Sequence, residues 1–177
     1  TPSLTFAGWM SFVSCGSFLY METYNLPITY YAIHQGVIIA AFSVCSLYSG
    51  QINKFIGAHN GVVYVAFLMI IGALCMIIIS ITFDIAPYLT SLSMIIYGFG
   101  AAISYPVIFA RSLELFPDIS GTASSVIMAL RALLCAVFIA TSSSIYHGKL
   151  WTVAVMILIA SLSASILTFL LLKLILF

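Results

Sequence analysis

The stretch "FPDISGTASSVIMALRALLCAVFIA", residues 116–140, decides the fold. It opens on a Phe-Pro turn and continues as an apolar run interrupted by one permanent charge, Arg131. Counting from Ser120 at ~1.5 Å per helical residue, Arg131 lies ~16 Å along, near the middle of a ~30 Å hydrocarbon core. A guanidinium facing lipid there costs at least ~2.5–3.5 kcal/mol, so this one is expected to face protein or water. At about 100° per residue, Ser124, Met128, Cys135, Phe138 and Ser142 share its face. Val126, Ala129, Leu133, Ala136, Val137 and Ala140 cover the opposite side. A polar stripe centred on an arginine suits the wall of a cavity.

The rest of the chain explains why such a run must be read against a bilayer. Of 177 residues, 64% are hydrophobic and 5% charged, and the mean hydropathy is +1.26. Soluble domains carry ~25% charged residues, so this chain cannot coat a water-facing surface and reads as an all-α integral membrane protein. Six spans emerge, at about 4–21, 31–52, 62–82, 88–110, 121–145 and 151–172, separated by short polar or Pro/Gly-bearing breaks. The runs are too long, and alternate too little, for the strands of a barrel. The net charge of +1 says nothing about nucleic acid, and no basic tail or patch is available to grip phosphates, so none is expected as a partner. Cys15, Cys45, Cys75 and Cys135 lie within apolar runs without metal-ligand spacing, so they read as small buried hydrophobes. The first run has no basic lead-in and does not resemble a signal peptide. No Ser/His/Asp arrangement, phosphate-cradling glycine loop or paired carboxylates suggests an enzyme.

Lys54, Arg111 and Lys173 fall on one side of the six spans, Lys149 on the other with Glu22 and Asp84. This bias predicts that both termini face the cytoplasm. The first three spans then begin from inside and the second three from outside. Any repeat relating the triplets is therefore inverted, the 3+3 construction of a transporter half.

Residues 96–131, "IYGFGAAISYPVIFARSLELFPDISGTASSVIMALR", carry a more specific signal. Gly98, Gly100 and Pro106 lie in one helix; Phe116-Pro117 closes the loop; Gly121-Thr122-Ala123-Ser124 opens the next helix. This order resembles helices 10 and 11 of bacterial drug:proton antiporters of the bicyclomycin/chloramphenicol-resistance type, in the major facilitator superfamily. Upstream, "METYNLP" (residues 21–27) is similar to the family's Glu-x-Tyr-Gly-Leu turn, with Asn25 in place of the glycine. "SGQINKFIGAH" (residues 49–59) is similar to a degenerate copy of its cytoplasmic loop, with Asn53-Lys54 for Asp-Arg and Gly57 displaced. The resemblance implies helices 7–12, the C-terminal bundle of a twelve-helix transporter of the bacterial inner membrane. It also implies a partner N-terminal bundle outside this chain, holding the proton-exchanging carboxylates. Protons would be the coupling ion, with no other cofactor and no metal.

Candidate residues follow. Arg131 either pairs structurally with a carboxylate or carbonyls, or meets an anionic substrate or a proton-carrying acid. Every acid of this chain lies near a span end, so its partner is expected elsewhere. Asp118 and Ser120 are placed to cap the fifth helix, while Gly121 and Ala123 allow close helix approach, with Ser124 on the arginine's face. Glu22 ends the first span as a solvated acid or a proton or cation site. His34 and Gln35, beside Tyr30 and Tyr31, read either as interfacial anchors or as a titrating pore wall. Tyr97 heads a stripe with Gly100, Ala101 and Ser104 and is a candidate substrate contact. Gly98, Gly100 and Pro106 would let the fourth helix bend. Thr141 to Ser144 are expected to bond back to helix carbonyls. The expected function is proton-coupled efflux of small amphiphilic compounds by alternating access. Alternatives are transport of an anionic metabolite such as an amino acid or siderophore, and a non-transporting six-helix subunit.

Overall fold

A computed structural model of the chain describes residues 2–56, 58–83, 85–114 and 116–176. Outside them fall Gly57 and Asp84, and the side chains of His59, Arg111 and Lys173 are likewise not described. Six helices run through the described residues: α1 (Pro2–Phe18), α2 (Ile28–Ile56), α3 (Ala58–Thr82), α4 (Pro87–Glu114), α5 (Ser120–Ile145) and α6 (Leu150–Leu176). Each contains a stretch long and apolar enough to cross a membrane. These stretches follow the expected spans closely, because length and apolarity fix a span with little help from tertiary contacts. The links α1–α2, α3–α4 and α5–α6 lie at one end of the bundle, called here the far end; both termini lie at the other, the terminal end.

Apart from α3 and α4, helices adjacent in sequence are poor neighbours in space. α2 and α3 both pack along α4, whereas α5 and α6 both pack along α1. α3 meets α6, α1 meets α4, and the sequential pairs α2–α3 and α5–α6 touch only lightly. Close contact is built on small residues. A Cβ on Gly8 would stand 2.8 Å from Ala160 Cβ on α6, and one on Gly72 would stand 2.7 Å from the backbone nitrogen of Tyr97. Small side chains of this kind let backbones approach in lipid, where no hydrophobic force drives helices together. Around them lies the core of Trp9, Phe12, Leu19, Tyr20, Met76, Met94, Tyr97 and Ile157. α3 and α6 carry the most apolar spans. α2 and α5 are the least buried: 17% of the apolar stretch of α2 and none of that of α5 is covered, against 56% for α1.

Several local expectations need correction. Pro117–Ile119 form a 3-10 turn and Ser120 already lies inside α5, so neither Asp118 nor Ser120 caps the helix. Among the described residues nothing within 4 Å would meet a Cβ on Gly121, so no backbone described here approaches it, and Ala123 is only half-buried. Gly98 and Gly100 are packing positions, as expected: a Cβ added to each would fall 2.6 Å from the Trp9 ring and 2.9 Å from the Val65 carbonyl oxygen, respectively. α4 continues as a helix through Pro106 to Glu114. In α5, Thr141 and Ser144 do bond back to the carbonyls of Val137 and Ala140, at 2.7 and 2.8 Å. Ser142 Oγ is buried without a partner among the described residues.

Candidate functional site

Arg131 sits midway along α5, half-buried, on the face that packs against α1. Side chains on a helix lean toward its N-terminus, so the guanidinium reaches toward the terminal end. There it meets two rings. Its Cζ lies 4.7 Å from the centroid of Phe6 (α1) and 5.6 Å from that of Tyr105 (α4). Its Nη1 donates to the Tyr105 phenolic oxygen at 2.5 Å. No carboxylate pairs with it among the described residues. The cation is therefore held by ring faces and one hydroxyl, an arrangement that half-buries it without neutralising it.

Phe6 and Tyr105 also form one end of a cavity of about 250 Å³ between α1, α2 and α4. Its walls are apolar and aromatic: Trp9, Met10 and Val13 of α1, Ile39 and Phe42 of α2, and Ala101 of α4. Trp9 and Phe42 meet edge to face with centroids 5.1 Å apart, and Tyr105 stacks on Phe109 at 5.9 Å. Gly98 makes this wall possible, because the Trp9 ring lies where any larger residue on α4 would project. A second groove of about 370 Å³ runs between α3 and α6 from Val63 to Leu170. The hydroxyls of Ser165 and Thr168 that border it are bonded to their own helix, so it offers a ligand only hydrocarbon.

The far end holds a different cluster. α1 ends in a π-helical turn, Leu19–Thr23, whose closing bond runs from Tyr24 N to Leu19 O at 3.0 Å. Asn25 then adopts φ 52, a left-handed backbone that asparagine tolerates. Tyr20 OH meets Ser91 Oγ at 2.6 Å, and Tyr24 OH meets Thr90 Oγ1 at 3.0 Å. His34 Nδ1 shares the same Ser91 hydroxyl at 2.7 Å, with its ring between Tyr20 and Tyr88 at 5.2 and 5.1 Å. Thr23 Oγ1 donates to the Gly148 carbonyl at 2.9 Å, tying this turn to the α5–α6 link. Outside the spans, burial raises the Tyr24 phenol above its ordinary value, opposed by its bond to Thr90, and burial raises Tyr146 too.

Some candidates gather at these sites and others do not. Tyr97 is corrected: fully buried, its hydroxyl donates to the Thr5 carbonyl at 2.7 Å, so it locks α4 to α1 and lines neither cavity described above. Ser124 donates to the Gly121 carbonyl of its own helix at 2.8 Å, and Glu22 is exposed on the π turn. His34 and Gln35 are both buried within the bundle. Gln35 Nε2 lies over Gly16, with no hydrogen-bond partner among the described residues. Phe6, Trp9, Phe42 and Tyr105 escaped sequence reasoning because an aromatic in an apolar span carries no mark of what it faces. Comparison with family models, with curated proteins and with solved structures finds no match for this chain.

Proposed function

We propose that this chain is one six-helix bundle of a secondary transporter. The observation that carries the reading is a permanent cation without a carboxylate partner among the described residues, packed halfway along α5 against Phe6 and Tyr105, two of the rings that line an aromatic cavity. Such a site binds small amphiphilic compounds: broad apolar walls tolerate varied bodies and a few polar groups orient them. The packing pattern supports a 3+3 inverted repeat. Exchanging α1, α2, α3 with α4, α5, α6 maps α1–α5 onto α4–α2, α1–α6 onto α4–α3 and α2–α3 onto α5–α6, and leaves α1–α4 and α3–α6 as themselves. The poor burial of α2 and α5 suits a seam with a second, N-terminal bundle, the two rocking about a midplane site. The far end is then the outer one, in a bacterial inner membrane with both termini of the chain cytoplasmic.

The family resemblance of residues 96–131 adds proton-coupled drug efflux by alternating access, with protons as coupling ion. Tests use cells with and without the protein. Expression should lower accumulation of a fluorescent amphiphile, an uncoupler should abolish the difference, and Arg131→Ala should abolish it while the protein still inserts and folds. Equal accumulation in Arg131→Ala and parent cells would remove the site from the pathway. A chain that moves no solute in any assay would be a non-transporting subunit.

A further inference from the structure

We infer that His34 is a proton-binding site, the counterpart in the first three helices of Arg131 in the second three. One half of the bundle holds its cation permanently; the other acquires one with a proton. This deepens the proton-coupled reading above by naming a proton carrier within the chain, and the first of its tests does not depend on that reading.

α1 and α4 both open on proline. At one spacing of 85 residues (87 minus 2, 105 minus 20), Pro2, Leu4, Thr5 and Tyr20 fall on Pro87, Leu89, Thr90 and Tyr105. The same spacing carries Phe6 onto Ser91. Arg131 of α5 touches Phe6 of α1 and Tyr105 of α4. His34 of α2 touches Ser91 of α4, at 2.7 Å, and Tyr20 of the π turn that continues α1, with ring centroids 5.2 Å apart. Exchanging the two helix triplets therefore carries the partners of one basic residue onto the partners of the other. It also exchanges α2 with α5, the helices that bear the two bases.

The two bases differ in what they can do: a guanidinium keeps its charge, whereas an imidazole gains and loses a proton near neutral pH. Ser91 Oγ lies 2.7 Å from His34 Nδ1, 2.6 Å from Tyr20 OH and 3.0 Å from the Pro87 carbonyl oxygen. Tyr20 OH reaches that same carbonyl at 3.2 Å. With Nδ1 bare, only the hydroxyl hydrogens of Tyr20 and Ser91 serve these contacts. A proton on Nδ1 supplies the missing donor. Nδ1–H then donates to Ser91 Oγ, the Ser91 hydrogen turns from the ring to the Pro87 carbonyl, and Tyr20 donates into the second lone pair of Ser91. The charged ring sits beside the rings of Tyr20 and Tyr88, at 5.2 and 5.1 Å, as the guanidinium sits beside Phe6 and Tyr105. The titratable groups about it are Tyr20 on the π turn, Tyr88 on α4, and Tyr24 and Tyr31, whose rings meet Tyr20. No carboxylate or second cation touches His34 among the described residues, and Glu22, on the π turn, is exposed. Tyr88 opens α4 and is largely exposed, so the ring lies one side chain from the far-end surface.

The first test uses the full-length protein in nanodiscs with nitrogen-15 in its histidine rings and every other histidine replaced by glutamine, His59 and His147 among them. No core residue is altered. Between about pH 8 and pH 5 the His34 ring nitrogens should pass reversibly from the neutral to the imidazolium pattern in a one-proton transition. Ser91→Ala should move the midpoint by about half a pH unit or more, because the neutral and charged rings use that hydroxyl differently. Ser93→Ala, whose hydroxyl bonds within its own helix, should leave it in place. A ring that keeps one protonation state across that range, or a midpoint indifferent to Ser91→Ala, overturns the inference. The second test follows rhodamine 6G in proteoliposomes. Uptake driven by a pH gradient should be lost in His34→Gln and in His34→Arg, neither of which can take up and release the proton, while exchange of the dye without a gradient persists. Gradient-driven uptake that survives His34→Gln, or exchange lost together with it, overturns the inference. A His34 that titrates in a protein that moves no solute leaves the proton site standing and removes transport; gradient-driven flux in a protein whose His34 does not titrate does the reverse.

Discussion

Replacing Gly72 or Gly98 by alanine adds the same methyl group to two contacts of different kinds, and the structure gives each a different outcome. On Gly72 the new Cβ would lie 2.7 Å from Tyr97 N and 3.0 Å from both Ser93 O and Tyr97 Cα, all backbone of α4. Ordinary contact begins near 3.4 Å, so α3 and α4 must part by 0.7 Å there (3.4 minus 2.7). Overpacking of this sort costs ~1–3 kcal/mol, offset by the ~0.5–1 kcal/mol that alanine gains over glycine in a helix. The net expectation is a loss of about 1–2 kcal/mol. On Gly98 the Cβ would lie 2.6 Å from Trp9 Cζ3, at the edge of a side chain that can swing aside. The helices then stay in place and the ring moves into the cavity, so ligand binding suffers more than stability. Double-mutant cycles expose the difference. Trp9→Leu should relieve Gly98→Ala, giving a coupling of about 1 kcal/mol, whereas Tyr97→Phe should leave the effect of Gly72→Ala unchanged, since no Tyr97 side-chain atom makes that contact. Equilibrium unfolding in mixed micelles, followed by labelling of the buried Cys15 thiol as the only retained cysteine, supplies the energies. A Gly72→Ala protein as stable as its parent, or a Gly98–Trp9 pair that adds without coupling, would refute the reasoning.

Two further predictions concern the far end. Ser91→Ala removes the hydroxyl shared by His34 Nδ1 and Tyr20 OH, and should destabilise by about 2 kcal/mol, because two buried groups lose a partner together. Thermal unfolding checks it, with Ser93→Ala, whose hydroxyl bonds only within its own helix, as the mild comparison. The raised Tyr24 phenol sets a pH dependence. Its contribution is intact below the ordinary tyrosine value of 10.0 and is lost as pH climbs above it, because the unfolded chain releases that proton first. Tyr24→Phe should therefore flatten the alkaline loss of stability measured by unfolding across that range.

Which parts were legible in the sequence follows from what a sequence pattern encodes. The six spans needed only length and apolarity, and the shelter of Arg131 needed only the cost of a charge in hydrocarbon. Facing was harder. The stripe through Tyr97, Gly100, Ala101 and Ser104 is real, but a stripe says which residues share a side of a helix and not what that side meets. Here it meets α1 and α3, so Tyr97 is a structural lock. His34 and Gln35 read as interfacial because tyrosines flank them, yet the π turn and Ser91, far away in sequence, draw the histidine inward. Gly121 reads as a site of close helix approach, yet among the described residues it has open space before it.

The crossed pairing of helices also fixes when the molecule can come together. Within this stretch α1 is made before its principal neighbours, α5 and α6, while α2 and α3 await α4. Its first three helices alone thus hold few of their mature contacts, and their small-residue faces, Gly8 and Gly72 among them, lack the helices they pack on. This bundle closes only when α6 reaches α1 and α3, so deleting α6 should leave its helices formed but unassembled.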